Sequence, residues 1–470
     1  MACRRSQVRS LSGPPFFNYR THRKVGFLLP GFTQKTNGNP SKISYNTCMR
    51  WYRDKIFWYI FATLAIFKAL AFVFLFFFHP AGENILAFPD SVGYVYPAQT
   101  WLAYGQMWEA VSATPMLLRT PGYPFFLALI QTLTGNMTWA IAAAQNLLSL
   151  FLLIPVYLTT RLLSGVNAAR WASVFCAGSV LYFSLSFAVL TEILCVFLLA
   201  WFVFLAVRFL TNPRSADLLG ASLFLAGAVY VRPATYYFMF FAAVLFLVFR
   251  AAKLIRFSFL KISLFFVLPL FLSIGAWHFR NARVAGYKGF TGVGAYNLYI
   301  WNEDYIAKKF NLPVLEARHR LELALPPGFS SLPPREQVRL YKELAKPLIR
   351  ESFFYKLSRA PWWLTKTLLG ANNAHLQQLF HAEKPSFFLF LVAEGQVCLL
   401  ILFCAIGFWI LWKKERKTAF FLFTYSLYFW AIGSVFSGAY ARFRAPFEFV
   451  LCIAAGTALS FLWDKYKKLS

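Results

Sequence analysis

The sequence predicts an all-α polytopic membrane protein, a bundle of about ten transmembrane helices with further helices lying at one membrane face. Three observations predict it: composition, span-length apolar runs, and basic residues in every second loop. The 470 residues are 59% hydrophobic, 20% aromatic and 14% charged, whereas a soluble chain is about 25% charged. Apolar runs near the roughly 18 to 20 residues that cross a hydrocarbon core recur from Ile56 onward. A helical bundle follows, because lipid offers the backbone no hydrogen-bond partner and each helix satisfies its own.

The expected spans are 56–78, 138–160, 171–188, 191–210, 217–233, 236–250, 260–277, 386–411, 418–436 and 446–463, the fifth and sixth being short. Arg50, Arg53 and Lys55 precede the first span, and Arg161 and Arg170 flank the next basic loop. Arg208 and Arg214, the group Arg250, Lys253, Arg256 and Lys261, the run Lys413, Lys414, Arg416 and Lys417, and finally Lys465, Lys467 and Lys468 mark the others. The rule that basic loops stay cytoplasmic puts both termini inside and turns segments 79–137 and 278–385 to the exoplasm. The chain then divides into a basic tail (1–50), an N-terminal transmembrane module with its first outer loop (51–277), an outer segment with amphipathic helices (278–385) and C-terminal spans (386–470).

The formal charge of +29 needs no nucleic-acid partner; loops beside anionic headgroups explain it, at about 1 kcal/mol per basic residue near the surface. The seven cysteines avoid both outer segments and form no CxxC pair, so they read as apolar packing residues rather than disulfides or a zinc site. The tail is basic and lacks a long apolar stretch, so it is not a cleavable signal peptide. It reads as a disordered cytoplasmic tail, or as an extension upstream of a natural start at Met49.

The first outer segment concentrates the chemistry. It carries Asp90, Tyr94, Tyr96, Trp101, Tyr104 and Trp108, then Arg119-Thr120-Pro121-Gly122-Tyr123-Pro124 ahead of an apolar stretch. A carboxylate near the membrane surface beside aromatic faces suits a general base, its pKa raised by partial desolvation. On spacing alone Asp90 also reads as a helix N-cap or a solvated loop aspartate. Two prolines and a glycine make a rigid elbow, which either is purely structural or holds Arg119 where its planar fork meets a phosphate.

The pattern Asp90-x-x-x-Tyr94-x-x-x-Ala98, followed by Arg119-x-Pro-Gly-Tyr-Pro, resembles the first outer loop of the GT-C class of polytopic glycosyltransferases, in particular the protein O-mannosyltransferase and lipid A aminoarabinose transferase group. Thr191-Glu192, Val231-Arg232-Pro233, Trp277-His278-Phe279-Arg280-Asn281 and Arg442-Phe443-Arg444-Ala445-Pro446 extend the resemblance, in order, across about 56–464. It implies a GT-C-like fold in a bacterial inner or plasma membrane and transfer of a sugar from a polyprenyl-phosphate donor to a hydroxyl acceptor at the exoplasmic face, with inversion. Asp90 would be the base. Arg119, Arg442 and Arg444 would bind the phosphate, with Arg232, Arg280, Glu192, Tyr94 and Tyr123 as further substrate-binding positions. Four of these arginines lie on the side that the cytoplasmic bias does not explain.

Ser91 stands where many relatives carry a second acid, and the histidines match no zinc spacing. The expectation is therefore no cofactor and no required metal, with a divalent cation as the alternative. Glu303-Asp304 reads as a solvated pair, and Lys68 within the first span as a snorkelling or paired lysine. Arg232 suits either a phosphate or an intramembrane ion pair with Glu192 or Glu394. In the second outer segment a proline-started helix over 333–350 presents Val338, Tyr341, Ala345 and Leu348 on one side, followed by a membrane-surface helix over 353–369 around Trp362-Trp363. Rival functions are an O-antigen ligase or polymerase and a polytopic transporter; no inverted repeat supports the latter.

Overall fold

The computed structural model describes residues 51–78, 90–109, 114–135, 138–380, 387–435 and 440–468. The expected tail at 1–50, with Cys3 and Cys48, and the histidines His79 and His381 lie outside the described residues. The described residues are helical throughout, apart from turns and one isolated bridge between Trp108 and Pro115.

Among the described residues eight helices are long and apolar enough to cross a membrane: Lys55–Phe78, Thr138–Ser164, Glu192–Thr211, Ala234–Ala251, Phe259–Val284, Phe390–Lys414, Arg416–Val435 and Ala441–Tyr466. The span expected at 171–188 is instead a pair, Val166–Ala177 and Val180–Ser186, bent by 53°. The break is local chemistry: Ser179 adopts an extended conformation and its hydroxyl accepts from the Tyr182 N–H at 3.1 Å, restarting the helix in a new direction. The fifth expected span is the helix Ser215–Val231, 17 residues long, and it stops where Arg232 turns extended ahead of Pro233. The expected ten therefore become eight full spans, one bent pair and one short apolar helix.

The last span, Ala441–Tyr466, forms the axis of the bundle, with 83% of its apolar window buried against 17% for the first span, which faces lipid. Small residues let neighbours approach it closely. A Cβ on Gly456 would collide with the backbone of Ala168 and Ala172, and one on Gly407 with the backbone of Ala454. Lys68, in the first span, does not snorkel. It is buried and donates to Asn146 Oδ1 at 3.0 Å and Ser186 Oγ at 2.9 Å, tying the first span to the second and to the bent pair. At the start of the first span Asp54 caps the helix, accepting from Ile56 N–H at 3.1 Å, and pairs with Arg170 at 2.9 Å.

Outside the spans, helices Val293–Ile300 and Glu303–Phe310 pack on the helix Pro334–Leu369, and Val314–Leu323 packs on Glu303–Phe310. They share a small apolar core that includes Tyr299, Ile306, Leu321, Val338, Tyr341 and Ala345. The two expected helices of this region are one 36-residue helix through Pro347 and Pro361. Between the prolines Ser352 is buried and donates to Asn302 Oδ1 at 3.0 Å, so tertiary contacts hold the two halves in one line despite the local preference. Glu303, expected to be solvated, is only 5% exposed.

Replacing Gly456 by Leu should force the axial span away from Val166–Ala177, an overpacking cost of about 1–3 kcal/mol or more. Thermal unfolding of the purified protein in lipid nanodiscs should show a lowered midpoint, with Gly456→Ala lying between.

Candidate active site

Asp90 opens the turn that starts the helix Val92–Tyr104. The Ser91 hydroxyl anchors that turn by donating to the Val189 carbonyl at 3.1 Å, beside the start of Glu192–Thr211. The Arg119 elbow docks on the end of Ser215–Val231. Thr120 Oγ1 donates to the Val231 carbonyl at 2.8 Å, and a Cβ on Gly122 would lie 2.7 Å from the Tyr230 carbonyl carbon, so only glycine permits this approach. Glu109, which sequence reasoning missed, accepts from the backbone N–H groups of Leu117 and Leu118 at 2.5 and 2.6 Å and so fixes the strand of chain leading to Arg119.

These anchors bring five charged side chains into one row. Arg119 Nη2 lies 3.2 Å from Asp90 Oδ1, and Arg442 Nη1 lies 3.1 Å from Asp90 Oδ2. Arg442 Nε is 4.0 Å from Glu192 Oε1, whose same oxygen is 2.8 Å from Arg232 Nη1. Signs alternate along the row, so each charge has an opposite neighbour as it leaves water. Aromatic faces back the cations: the Tyr94 ring lies 4.8 Å from the Arg119 guanidinium, and the Phe443 ring lies 5.5 Å from that of Arg232 and 5.3 Å from that of Arg442. The row runs from a closed end, where the Glu192 side chain is 3% exposed, to an open end, where Asp90 is 34% exposed. Asp90 and its two arginines therefore form the open end of the row.

Asp90, Arg119, Arg442, Arg232 and Glu192 are thus brought together. For Arg232 the geometry is the ion pair with Glu192. Tyr94 reaches the row through its ring and a 3.5 Å contact from Arg119 Nη1 to its hydroxyl. Tyr123 is fully buried, donates to Gln145 Oε1 at 2.8 Å and packs edge-on against Tyr94 at 5.2 Å, so it supports the site from behind. Arg280 donates to the Met116 carbonyl and to Asn281 Oδ1, both at 3.0 Å, and holds the loop ahead of Arg119.

Arg444 does not join the row. It is fully buried, pairs with Glu448 at 2.6 Å and donates to the carbonyls of Leu368 and Gly370 at 2.7 and 2.8 Å, while Ser179 holds the other Glu448 oxygen. Arg442 and Arg444 sit on one 3-10 turn, Ala441–Arg444, and at three residues per turn two positions apart point roughly 240° around the axis. One side chain meets the site and the other locks the bundle.

Burial pushes the Asp90 carboxyl up, but Arg442 and Arg119 outweigh it and hold its pKa below the ordinary 3.8. The expectation of a raised pKa is therefore reversed in this arrangement, because two guanidinium groups face the carboxylate. His375 stands near enough to feel Arg442, Glu192 and Asp90; burial first, then Arg442, brings it down to about 4, so its imidazole is neutral at neutral pH. Among the described residues no three His, Cys, Asp or Glu side chains gather as a metal-binding group.

Removing the Glu192 carboxylate should take from the half-buried Arg232 guanidinium its ion-pair partner at 2.8 Å, costing about 3–5 kcal/mol. In a double-mutant cycle of Glu192→Ala and Arg232→Ala, thermal unfolding should show the double variant more stable than the sum of the two losses predicts.

Residues 118–277 match the family of dolichyl-phosphate-mannose-protein mannosyltransferases, from the residue before Arg119 to the helix that carries Arg280. Among solved structures, the oligosaccharyltransferase of Archaeoglobus fulgidus in its apo form is similar over 89% of this chain and 52% of its own, at 16% identity and a TM-score of 0.50. AglB from the same organism, in complex with an inhibitory peptide and a dolichol-phosphate, is similar at 15% identity and a TM-score of 0.48, over 87% of this chain and 51% of its own. ArnT from Cupriavidus metallidurans in the apo state is similar at 12% identity and a TM-score of 0.43, over 86% and 61%. The chain spans about half the length of the oligosaccharyltransferases it matches. No curated protein matches it. The matched segment and the bundle together give this chain the fold of the GT-C class of polytopic membrane glycosyltransferases.

Proposed function

We propose that the protein transfers a sugar from a polyprenyl-phosphate donor to a hydroxyl acceptor at the exoplasmic membrane face, with inversion at the anomeric carbon. The observation that carries this reading is the Asp90 carboxylate held between Arg119 and Arg442 at the open end of the row. Three guanidinium groups (Arg119, Arg232, Arg442) against two carboxylates (Asp90, Glu192) leave a net charge of +1. That balance suits a sugar phosphodiester, which brings one negative charge. The matching family is described by a dolichyl-phosphate-linked sugar, an isoprenoid monophosphate of the same chemistry.

In this mechanism the acceptor oxygen forms a bond to the anomeric carbon as the bond from that carbon to the phosphate oxygen breaks. The acceptor proton passes to Asp90, and the lipid phosphate leaves with the bonding electrons, its growing charge met by Arg119 and Arg442. The same two arginines hold Asp90 before the donor arrives. A bound phosphate draws them toward itself, which weakens their hold on the carboxylate and raises its proton affinity when a base is needed. Arg232 and Glu192 keep Arg442 aimed at the opening, and a neutral His375 adds no competing charge.

Asp90→Asn should lower transfer about 10²–10⁴-fold with membrane insertion unchanged, followed as release of free polyprenyl phosphate from a panel of lipid-phosphate sugars. Wild-type turnover in that variant would remove the assignment. Since Arg442 and Arg119 depress the pKa of Asp90 in the free enzyme, kcat/KM should stay level from neutrality down to about pH 5 and lose its base only below the ordinary carboxylate range. An acid limb near neutrality would show that another group is the base.

A further inference from the structure

Near the charged row lies a cavity of about 250 Å³, open on one side, between the helices outside the spans and the far half of Pro334–Leu369. Its walls include Trp301, Tyr355, Trp363 and Tyr440, and Glu303 and Asp304 also line it. Tyr440 is shared between the two sites: its ring packs 6.0 Å from that of Trp301 and lies 5.8 Å from the guanidinium of Arg442, which donates to Asp90. Tyr440 and Arg442 thus connect the cavity wall to Asp90.

Two of its polar atoms are buried without a hydrogen-bond partner, Trp301 Nε1 and Glu303 Oε2. The Glu303 side chain is 7% exposed, and its nearest cation, Arg318 Nη1, stands at 3.7 Å, outside hydrogen-bond range. Buried polar groups are rarely left without a hydrogen bond, and two of them on residues that line one cavity point to a ligand there. The indole N–H can only donate and the carboxylate oxygen accepts. The ligand must therefore both accept and donate, and it must also present apolar faces to several aromatic rings. Charge narrows the choice further: Glu303 and Asp304 are balanced by Arg359 and Lys366, which also line the cavity and are exposed, so a neutral polyol fits better than an ion. A sugar ring has these properties together, with C–H faces above and below and hydroxyl groups around its edge.

We infer that this cavity is the acceptor subsite and that it binds a saccharide, so that the acceptor is a glycan and one of its hydroxyls is presented past Tyr440 to Asp90. This rests on the transfer reaction proposed above and specifies its acceptor class. The saccharide can be free or carried on a lipid, since both offer the same ring to the same wall.

The test uses the full chain in lipid nanodiscs, free of glycoside detergents, with tryptophan fluorescence following the addition of N,N′-diacetylchitobiose, maltose or, as an acyclic control, sorbitol. A cyclic saccharide should give a saturable change that sorbitol does not give. Glu303→Gln and Trp301→Phe, each close in shape to the native residue, should weaken it about tenfold or more, with binding of a radiolabelled undecaprenyl phosphate unchanged in both. Comparing a free disaccharide with the same disaccharide on a lipid anchor identifies the source: tighter binding of the anchored form points to a glycolipid acceptor, and equal binding to a soluble glycan. Absence of saturable binding by every saccharide, or equal binding by wild type and Glu303→Gln, would overturn the inference. Wild-type protein that binds saccharide but no polyprenyl phosphate would leave this subsite standing and instead break the donor assignment.

Discussion

The architecture depends on the alternating row Arg119, Asp90, Arg442, Glu192, Arg232. Ionised groups near a hydrocarbon core are tolerated only when each is answered by an opposite charge, because the cost of leaving water exceeds what a single imperfect pair returns. The row meets this demand with residues from five places in the chain: the segment after the first span twice, the start of one span, the end of the short helix and the turn before the axial span. Assembling the charges therefore closes the bundle at that end. The arrangement that stabilises the fold is also the one that leaves a clamped carboxylate at the open end.

Precision in the row comes from neutral contacts around it. Ser91 and Thr120 bind the first loop to two separate helix ends, and Gly122 lets the elbow rest on bare backbone. Glu109 takes the N–H groups of the residues just before Arg119, and Tyr123 props Tyr94 beneath the guanidinium. On the other side Phe443 lies beneath two arginines at once. A site built this way can yield its arginines to an incoming phosphate without losing their anchors, because the anchors are made by backbone and aromatic faces instead of by Asp90 alone.

The proposed reaction also explains why two arginines that both face one membrane end have opposite fates. Arg442 is presented to the opening, and Arg444, two residues later, is spent on Glu448 and the carbonyls at the end of the long helix Pro334–Leu369. That second pair ties this long helix to the axial span, so the floor beneath the cavity of Trp301 and Glu303 is fixed to the element that carries Arg442. The proposed donor and acceptor sides then share one support.

Composition and apolar run length determined by themselves that the chain spans a membrane as helices, since lipid leaves the backbone no other solution. The spacing of Asp90, Tyr94 and the Arg119 elbow, with Glu192, Arg232 and Arg442 near span ends, marked the residues of the row, because charge at such positions is costly enough to stand out. Only tertiary structure decided how they pair. The 3-10 turn separates Arg442 from Arg444, the Ser179 cap bends a span that reads as straight, and packing across Ser352 carries one helix through two prolines. It also buried Glu303 and half-buried Glu109 against the backbone of Leu117 and Leu118. Local sequence sets what a residue prefers, but the partner that sets its ionisation and direction arrives from elsewhere in the chain, as Arg442 does for Asp90 across 352 positions.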